Sequence, residues 1–381
     1  MPTPADPHLL PIRAPDTSRL PSLDGLRAVS IAMVVGQHFI SGIPGAPPFP
    51  GLFGVQIFFV VSGLLICRLL LAELAATGDI SLREFYFRRA LRLTPALFAS
   101  VAAISVVEIL FHAWDWRAAA CGLAYATNYC VTEVGVMYAG GGGSFEGLWS
   151  LAVEEHFYLV FPLLLLIFFR RGQGAMSAVV AALCVAALLF RIRYALEDKP
   201  ENFLAWRTES AFDFLLAGCA LSLMTTTETG RRALRRVAST GALAAATIAF
   251  AAGQIASSAG KVELAIALGV AAGWIAVFVA NALYNPDLSS VRAALNLPAL
   301  KWLGRISYSL YLWHYLPGFV VSRVAPNGGA FIAIMAIASS LVLAEASYRL
   351  IETPIMRRRG KWARAMGLKK ASAAPKTPPV A

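Results

Sequence analysis

Apolar blocks of roughly 20 residues recur along this chain, and they constrain its fold more than any other feature. A helix needs about 20 mostly apolar residues to cross the hydrocarbon core of a bilayer. The composition agrees, because 58% of the 381 residues are hydrophobic and 14% are charged, against about 25% charged in a soluble domain. We therefore predict an all-α membrane protein, a bundle of about ten transmembrane helices, and not a cytosolic enzyme, a disordered scaffold or a solenoid. The candidate spans are residues 24–42, 52–73, 93–112, 148–169, 175–192, 208–225, 236–254, 262–283, 305–322 and 329–350.

The distribution of Lys and Arg predicts the orientation of these helices, because cytoplasmic loops carry an excess of both residues. With a cytoplasmic N-terminus, the inner segments hold 22 of them and the outer segments hold 7. This bias predicts both termini in the cytoplasm. It also explains most of the net charge of +11 as a topology signal, so that the charge does not indicate nucleic-acid binding. No signal-peptide pattern is found, so the first helix is expected to be retained. We predict a cytoplasmic segment at 1–23, a transmembrane domain at 24–352 and a basic tail at 353–381 that is disordered or bound to anionic lipid.

Ionisable residues inside the spans are expected to have a partner or a function, because a charge in the bilayer core is costly. Arg27 and His38 are 11 residues apart, which places both on one side of a helix, about 16.5 Å apart along its axis. His38 and the pair Glu154 and Glu155 are predicted to lie at a similar depth near the outer face. Because the two glutamates point about 100° apart, at most one is expected to face a shared cavity. Snorkelling of Arg27, or a network that only fixes helix packing, is the alternative.

A second group of ionisable residues is predicted near the inner face. Arg89 and Arg92 are three positions apart on a predicted interfacial helix before the third span, so their guanidinium groups can converge. Convergent arginines suit phosphate, because the planar guanidinium donates two hydrogen bonds at once. Anchoring of this stretch at the inner membrane surface is the alternative interpretation. The members of the group are Arg27, Arg68, Arg88, Arg89, Arg92, Arg305, Glu345, Arg349 and Glu352.

The remaining sequence motifs are few. No nucleotide-binding loop, HExxH or paired CxxC pattern occurs, and we predict no metal site. Gly140–Gly143 is predicted to be a flexible outer hinge. Cys121 and Cys130 fall in a predicted outer segment and could form a disulfide if that face is oxidising. The other three cysteines are expected to pack among apolar side chains.

Six segments, in this order along the chain, resemble the acyltransferase 3 family of integral-membrane acyltransferases. Each apolar match is weak alone, but their order and the spaced motifs Arg-x10-His and RxxR are specific. The resemblance covers roughly residues 19–355. The segments are RLPSLDGLRAVSIAMVVGQH at 19–38, GVQIFFVVSGLLI at 54–66, FYFRRALRLTP at 85–95, LWSLAVEEHFYLVFP at 148–162, LGRISYSLYLWH at 303–314 and IETP at 351–354.

The resemblance implies a multi-pass enzyme, expected in a bacterial inner membrane, that binds no cofactor. It would transfer an acyl group, expected to be acetyl, from cytoplasmic acyl-CoA to a sugar hydroxyl of an extracytoplasmic or lipid-linked glycan. The implied catalytic residues are His38, Glu154 and Glu155, and the implied acyl-CoA-binding residues are Arg27, Arg89 and Arg92. Possible supporting residues are Asp24, Arg88, Asp213, Tyr308, His314 and Glu352.

In the predicted mechanism, the acyl-CoA phosphates bind the arginines and the pantetheine arm follows the stripe from Arg27 to His38. His38 takes the proton from the acceptor hydroxyl as that hydroxyl attacks the thioester. One of the two glutamates would orient His38. A covalent acyl-His38 intermediate is equally open.

Two positions depart from the family pattern. His156 stands where glutamine is usual and could compete with His38, and Leu97 stands where an aromatic residue is common. The chain is expected to lack the soluble hydrolase-like domain of some relatives and to act alone or with separate glycan-assembly proteins. A secondary transporter of anions or protons and a non-catalytic scaffold are the other candidate functions. A small-molecule glycoside or macrolide is the alternative acceptor.

Overall fold

The computed structural model describes residues 20, 22–41, 43, 45–47, 49–134, 145–325 and 329–367. Within these residues the chain forms helices and turns and no β-strand, which confirms the all-α prediction. The predicted hinge at Gly140–Gly143 lies outside the described residues. The α-helices, labelled in chain order, are α1 (Leu23–Phe39), α2 (Gly51–Thr77), α3 (Leu82–Leu110), α4 (Trp116–Leu123), α5 (Thr127–Tyr129), α6 (Trp149–Phe169), α7 (Gln173–Leu196), α8 (Glu201–Trp206), α9 (Thr208–Met224), α10 (Glu228–Val237), α11 (Thr240–Ala256), α12 (Lys261–Tyr284), α13 (Ser289–Leu295), α14 (Pro298–Arg305), α15 (Ser307–Trp313), α16 (Tyr315–Val324), α17 (Gly329–Ser347) and α18 (Thr353–Ala365).

Seven helical segments in the described part of the chain are long and apolar enough to cross a membrane. The predicted first and sixth spans are α1 and α9, of 17 residues each, which gives a length of about 26 Å against a hydrocarbon core of about 30 Å. The predicted ninth span is divided between α15 and α16 at His314. The chain is thus an integral membrane protein, and a total of ten crossings stays a prediction. The seven segments are Gly51–Thr77, Leu82–Leu110, Glu146–Phe169, Gln173–Leu196, Thr240–Ala259, Lys261–Tyr284 and Gly329–Ala365.

The predicted interfacial helix and the predicted third span form one continuous helix, α3, of 29 residues. It passes through Pro95 without a break. Proline removes one backbone hydrogen bond, and membrane helices tolerate this when neighbouring side chains bond the backbone of that turn. A side chain of α15 bonds the backbone close to this proline, because the Tyr308 hydroxyl donates to the Leu93 carbonyl at 2.8 Å. Arg89 and Arg92 consequently lie on the same rigid helix as the membrane-spanning residues.

Small residues allow α2 and α9 to approach each other closely at the centre of the bundle. A side chain at Gly63 would meet the Leu215 carbonyl, and one at Gly218 would meet the Val60 carbonyl. Small residues at membrane helix contacts permit this close backbone packing. The Cys67 thiol lies against the Cys219 carbonyl at 3.7 Å in the same contact. Both thiols are free and buried, as expected for packing residues.

The predicted disordered tail is wrong for its first part. Thr353–Ala365 forms α18, which continues directly from a π-helical turn at Tyr348–Glu352. A helix that extends an existing turn avoids the cost of nucleation, and this continuity accounts for α18. The helix packs on α3, where Arg83 donates to the Met366 carbonyl at 3.4 Å. Residues 368–381 lie outside the described part of the chain.

The disulfide that the sequence left open is present between Cys121 and Cys130. It links α4 to the turn that follows α5. Within the closed loop, Asn128 donates to the Thr208 hydroxyl at 2.9 Å, and the Tyr129 hydroxyl donates to Glu209 at 2.9 Å. The loop is therefore fixed against the start of α9.

Candidate active site

Arg89 of α3 lies against three side chains of α6. Its Nη2 is 3.8 Å from Glu154 Oε2, and its Nε is 3.5 Å from Glu155 Oε1. Its guanidinium carbon lies 3.3 Å from the centre of the Tyr158 ring, a cation–π contact. Glu154 also accepts hydrogen bonds from Ser62 at 2.9 Å and from Tyr158 at 3.0 Å. Arg89, predicted near the inner face, thus contacts the two glutamates that were predicted near the outer face.

Arg27 and Arg92 lie near this group. Arg27 donates to the Ser307 hydroxyl at 3.1 and 3.0 Å, and the charge of Glu154 acts on it. Arg92 is close enough to Arg27 and Arg89 for their charges to act on it. Among the described residues, Arg92 donates no hydrogen bond and forms no ion pair. We call Arg27, Arg89, Arg92, Glu154 and Glu155 the arginine–glutamate cluster.

His38, in the last turn of α1, lies in a separate aromatic group. Its Nε2 is hydrogen-bonded to the Tyr315 hydroxyl at 3.3 Å, and its ring centre is 5.0 Å from that of His314. His314 is buried, and its Nδ1 bonds the Leu310 carbonyl at 3.1 Å. His38 itself is exposed, so its ring is accessible to a substrate.

The predicted contact between His38 and the glutamates is not formed. Within the described ranges, no hydrogen bond or ion pair joins His38 to Glu154 or Glu155, because the α6 face that carries both glutamates turns toward Arg89. Tyr311 lies near both groups: its ring centre is 5.8 Å from that of His314, and Glu154 is near enough for its charge to act on the Tyr311 hydroxyl. This hydroxyl bonds Ser150 and the Gly147 carbonyl at 2.6 and 2.7 Å.

Three of the predicted supporting residues lie next to the site. Tyr308 is within reach of the charges of Glu155 and Arg89. Glu352 accepts a hydrogen bond from Ser309, and the charges of Arg92 and Arg27 act on it. Asp24 lies in the first turn of α1, where its charge acts on Arg27.

Two predicted supporting residues, and the histidine that was expected to compete with His38, have partners outside the site. Asp213 forms a bidentate ion pair with Arg191, which is fully buried. Arg88 binds Glu84 at 2.6 Å and Glu73 at 3.3 Å, and therefore points away from the glutamates that Arg89 contacts. His156 does not compete with His38, because its Nδ1 bonds the Thr208 hydroxyl at 2.7 Å.

The sequence reasoning missed the hydroxyl groups that complete the site. Ser62 and Tyr158 bind Glu154, Ser307 binds Arg27, and Tyr315 binds His38. The contact between Tyr158 and Glu154 could have been predicted, because the two residues are four positions apart and side chains at this spacing meet on a helix. The segment SYSLYLWHY also places hydroxyl groups at helical spacing in an apolar stretch. In the described part of the chain, no group of three His, Cys, Asp or Glu residues could hold a metal ion.

Comparison with known proteins gives a family and several relatives. A family model described as an acyltransferase domain matches residues 20–346. The peptidoglycan O-acetyltransferase OatA of Listeria monocytogenes is 30% identical over 353 residues, which cover 88% of this chain and 56% of that protein. The O-acetyltransferase OatA of Staphylococcus aureus is 28% identical, with 89% and 57% covered. The putative peptidoglycan O-acetyltransferase YrhL of Bacillus subtilis is 28% identical, with 88% and 55% covered. The chain spans a little over half the length of these relatives, and no solved structure matches it.

Proposed function

The chain belongs to the acyltransferase family whose domain it matches, and on this basis we propose that it transfers an acetyl group to a hydroxyl of a carbohydrate acceptor. The similar proteins are named as peptidoglycan O-acetyltransferases or O-acetyltransferases, which supports both the acetyl group and the glycan. The acceptor in this proposal is an extracytoplasmic polysaccharide or a lipid-linked glycan.

Acyl-CoA is the proposed donor, with its phosphates bound by Arg92, Arg27 and Arg89. Arg92 is the principal phosphate ligand in this proposal, because it donates no hydrogen bond within the described residues and lies beside two other arginines. Arg89 already contacts Glu154 and Glu155, so its contribution to phosphate binding is smaller. Guanidinium groups bind phosphate through paired, charge-assisted hydrogen bonds.

The convergence of three arginines at one end of α1, with His38 at the other end, is the observation that carries the proposal. Arg27 and His38 are separated by about 16.5 Å of helix. A donor held by its phosphates at the arginines could therefore extend its thioester to His38.

In the proposed reaction, His38 accepts the proton of the acceptor hydroxyl while the hydroxyl oxygen attacks the thioester carbonyl. The carbon–oxygen bond forms, the carbon–sulfur bond breaks, and the imidazolium returns its proton to the departing thiolate. Tyr315 takes the orienting role that the sequence assigned to a glutamate, because its hydroxyl is bonded to His38 Nε2. A covalent acyl-His38 intermediate is the alternative route.

We further propose ten membrane crossings with both termini in the cytoplasm of a bacterium, in its inner membrane. The disulfide between Cys121 and Cys130 supports this orientation, since disulfides persist in oxidising compartments and this one lies in the predicted outer segment. The excess of Lys and Arg in the predicted inner segments supports it as well.

The test is acetyl transfer by the purified full chain in lipid nanodiscs, with radiolabelled acetyl-CoA and a soluble peptidoglycan oligosaccharide. His38→Ala should reduce transfer by about 10²–10⁴-fold, the usual contribution of general acid–base catalysis. His112→Asn is the matched control, because His112 lies in an outer turn at a positive φ that asparagine tolerates. Unchanged transfer by His38→Ala would overturn the assignment, and transport by wild-type proteoliposomes without any acetylated product would favour a transporter.

A further inference from the structure

Arg68 of α2 is a buried arginine that the proposed reaction does not use. The residue is 8% exposed, and its Nη2 has no hydrogen-bond partner. In the described part of the chain, Arg68 donates no hydrogen bond and no carboxylate pairs with it. A buried charge without a partner is costly, so a group that neutralises Arg68 is expected.

The Tyr284 hydroxyl, at the C-terminal end of α12, lies beside the Arg68 guanidinium. It is buried and lies within reach of Arg68, but its proton has no acceptor among the described residues. The phenol oxygen can accept one bond from the guanidinium, which still leaves the Tyr284 proton and the Arg68 Nη2 group without an acceptor. The end of α12 offers Arg68 only about half an elementary charge of compensation through the helix dipole, which leaves the guanidinium incompletely neutralised.

A basic surface lies next to this position. Asn281, one turn before Tyr284, donates to the Val237 carbonyl at 2.9 Å, which places the end of α10 against the end of α12. Arg236 in that last turn of α10 is exposed and forms no ion pair within the described residues. Exposed cations around a buried site raise the local concentration of anions.

We propose that Arg68 and Tyr284 bind a phosphate group that enters from the α10 side of the bundle. A phosphate accepts hydrogen bonds from a planar guanidinium and from a phenol at the same time, which satisfies both unpaired donors. The phosphate belongs either to a phospholipid headgroup or to a nucleotide-like soluble ligand such as coenzyme A. The site is distinct from the arginine–glutamate cluster, since no contact joins Arg68 to that cluster among the described residues.

The experiment measures thermal unfolding of the full chain in nanodiscs of neutral phosphatidylcholine. One arm replaces part of this lipid with phosphatidylglycerol, and the other titrates coenzyme A. Arg68→Gln should weaken the apparent affinity by about tenfold or more in one arm, as expected for the loss of a hydrogen bond to a charged group. Tyr284→Phe should weaken it by about threefold in the same arm. The arm that responds identifies the source of the phosphate.

Arg232→Gln is the matched control, since Arg232 is an exposed arginine of α10 that pairs with Glu228, and its affinities should stay within about twofold of wild type. Folded Arg68→Gln protein with wild-type affinity in both arms would overturn the proposal. If Arg68→Gln does not fold, unchanged affinity of Tyr284→Phe in both arms overturns it instead. The readout is binding and not acetyl transfer, so it can fail or succeed independently of the proposed function.

Discussion

Two buried arginine–carboxylate groups in this bundle are built in different ways. Arg191, between α7 and α9, is 0% exposed, and its Nη1 and Nη2 donate to the two Asp213 oxygens at 2.5 and 2.6 Å. Its Nε donates to the Leu204 carbonyl at 3.2 Å. The Arg89 side chain keeps 14% exposure, and its contacts with Glu154 and Glu155 are 3.8 and 3.5 Å long.

The difference separates a structural ion pair from one that retains binding capacity. A bidentate pair in which all three guanidinium nitrogens donate offsets much of its own desolvation, and it leaves no nitrogen without a partner. Arg89 keeps an unsatisfied Nε and lies beside Arg92, which donates no hydrogen bond within the described residues. Arginines with free donors in one place are suited to an anionic substrate.

The largest expected effect is on stability at the tight pair. Asp213→Asn leaves Arg191 buried without a counter-charge and should lower the free energy of unfolding by about 3–5 kcal/mol, measured by unfolding in detergent. Glu155→Gln, at the loose contact, should lower it by less than about 1 kcal/mol, because this pair is partly exposed and long. Equal losses in the two variants would remove the distinction between the pairs.

The next effect concerns donor binding at Arg92, which lies beside the loose contacts of Arg89. Arg92→Gln should weaken acetyl-CoA binding by about 10–100-fold, since a hydrogen bond to a charged group contributes about 1.5–3 kcal/mol. Its unfolding should match that of wild type. Arg88→Gln is the control, because Arg88 is held by Glu73 and Glu84 and should retain donor affinity in the same calorimetric titration. Similar losses in both variants would reduce Arg92 to a general surface charge.

A smaller effect is expected at the far end of α1. Tyr315→Phe keeps the aromatic packing and removes the hydroxyl that bonds His38 Nε2. It should lower kcat about fivefold, equivalent to roughly 1 kcal/mol for one neutral hydrogen bond, with KM for acetyl-CoA unchanged. A change in KM alone would argue that Tyr315 contacts the donor and does not orient His38.

The smallest effect is expected at His156. His156→Gln restores the residue expected from the family resemblance, and it should change kcat by less than about twofold, because His156 bonds Thr208 and not His38. A pH–rate profile for this variant should overlay that of wild type. A shifted pH–rate profile would indicate that His156 takes part in the reaction.

Much of the fold was predictable because apolar blocks and their spacing are local properties. Helix type and the approximate bounds of most spans followed from these blocks. The division of the ninth span at His314 did not, because hydropathy does not report where a helix breaks. The predicted tail was also wrong up to Ala365, since the continuity of α18 with the preceding turn is a backbone property.

The site was predictable to the extent that its residues share one helix or one short motif. Arg89 and Arg92 converge because they are three residues apart on α3, and Arg27 and His38 share α1. Arg89 was not predicted as the partner of the glutamates, because an estimate of depth in the membrane considers each helix alone and says nothing about which helices pack together. Which face of α6 meets α3 depends on packing between distant segments.

The sequence alone determined that this protein is helical and membrane-embedded, that it belongs to an acyltransferase family, and which ionisable residues its helices carry. These properties follow from composition, local spacing and motif order. Only the tertiary structure decided the pairing of those residues: Arg89 with the glutamates, His38 with Tyr315, and Asp213 with Arg191. The physical reason is that a buried charge or hydrogen-bonding group is satisfied by whichever partner packing brings within a few ångströms, and that partner comes from another helix.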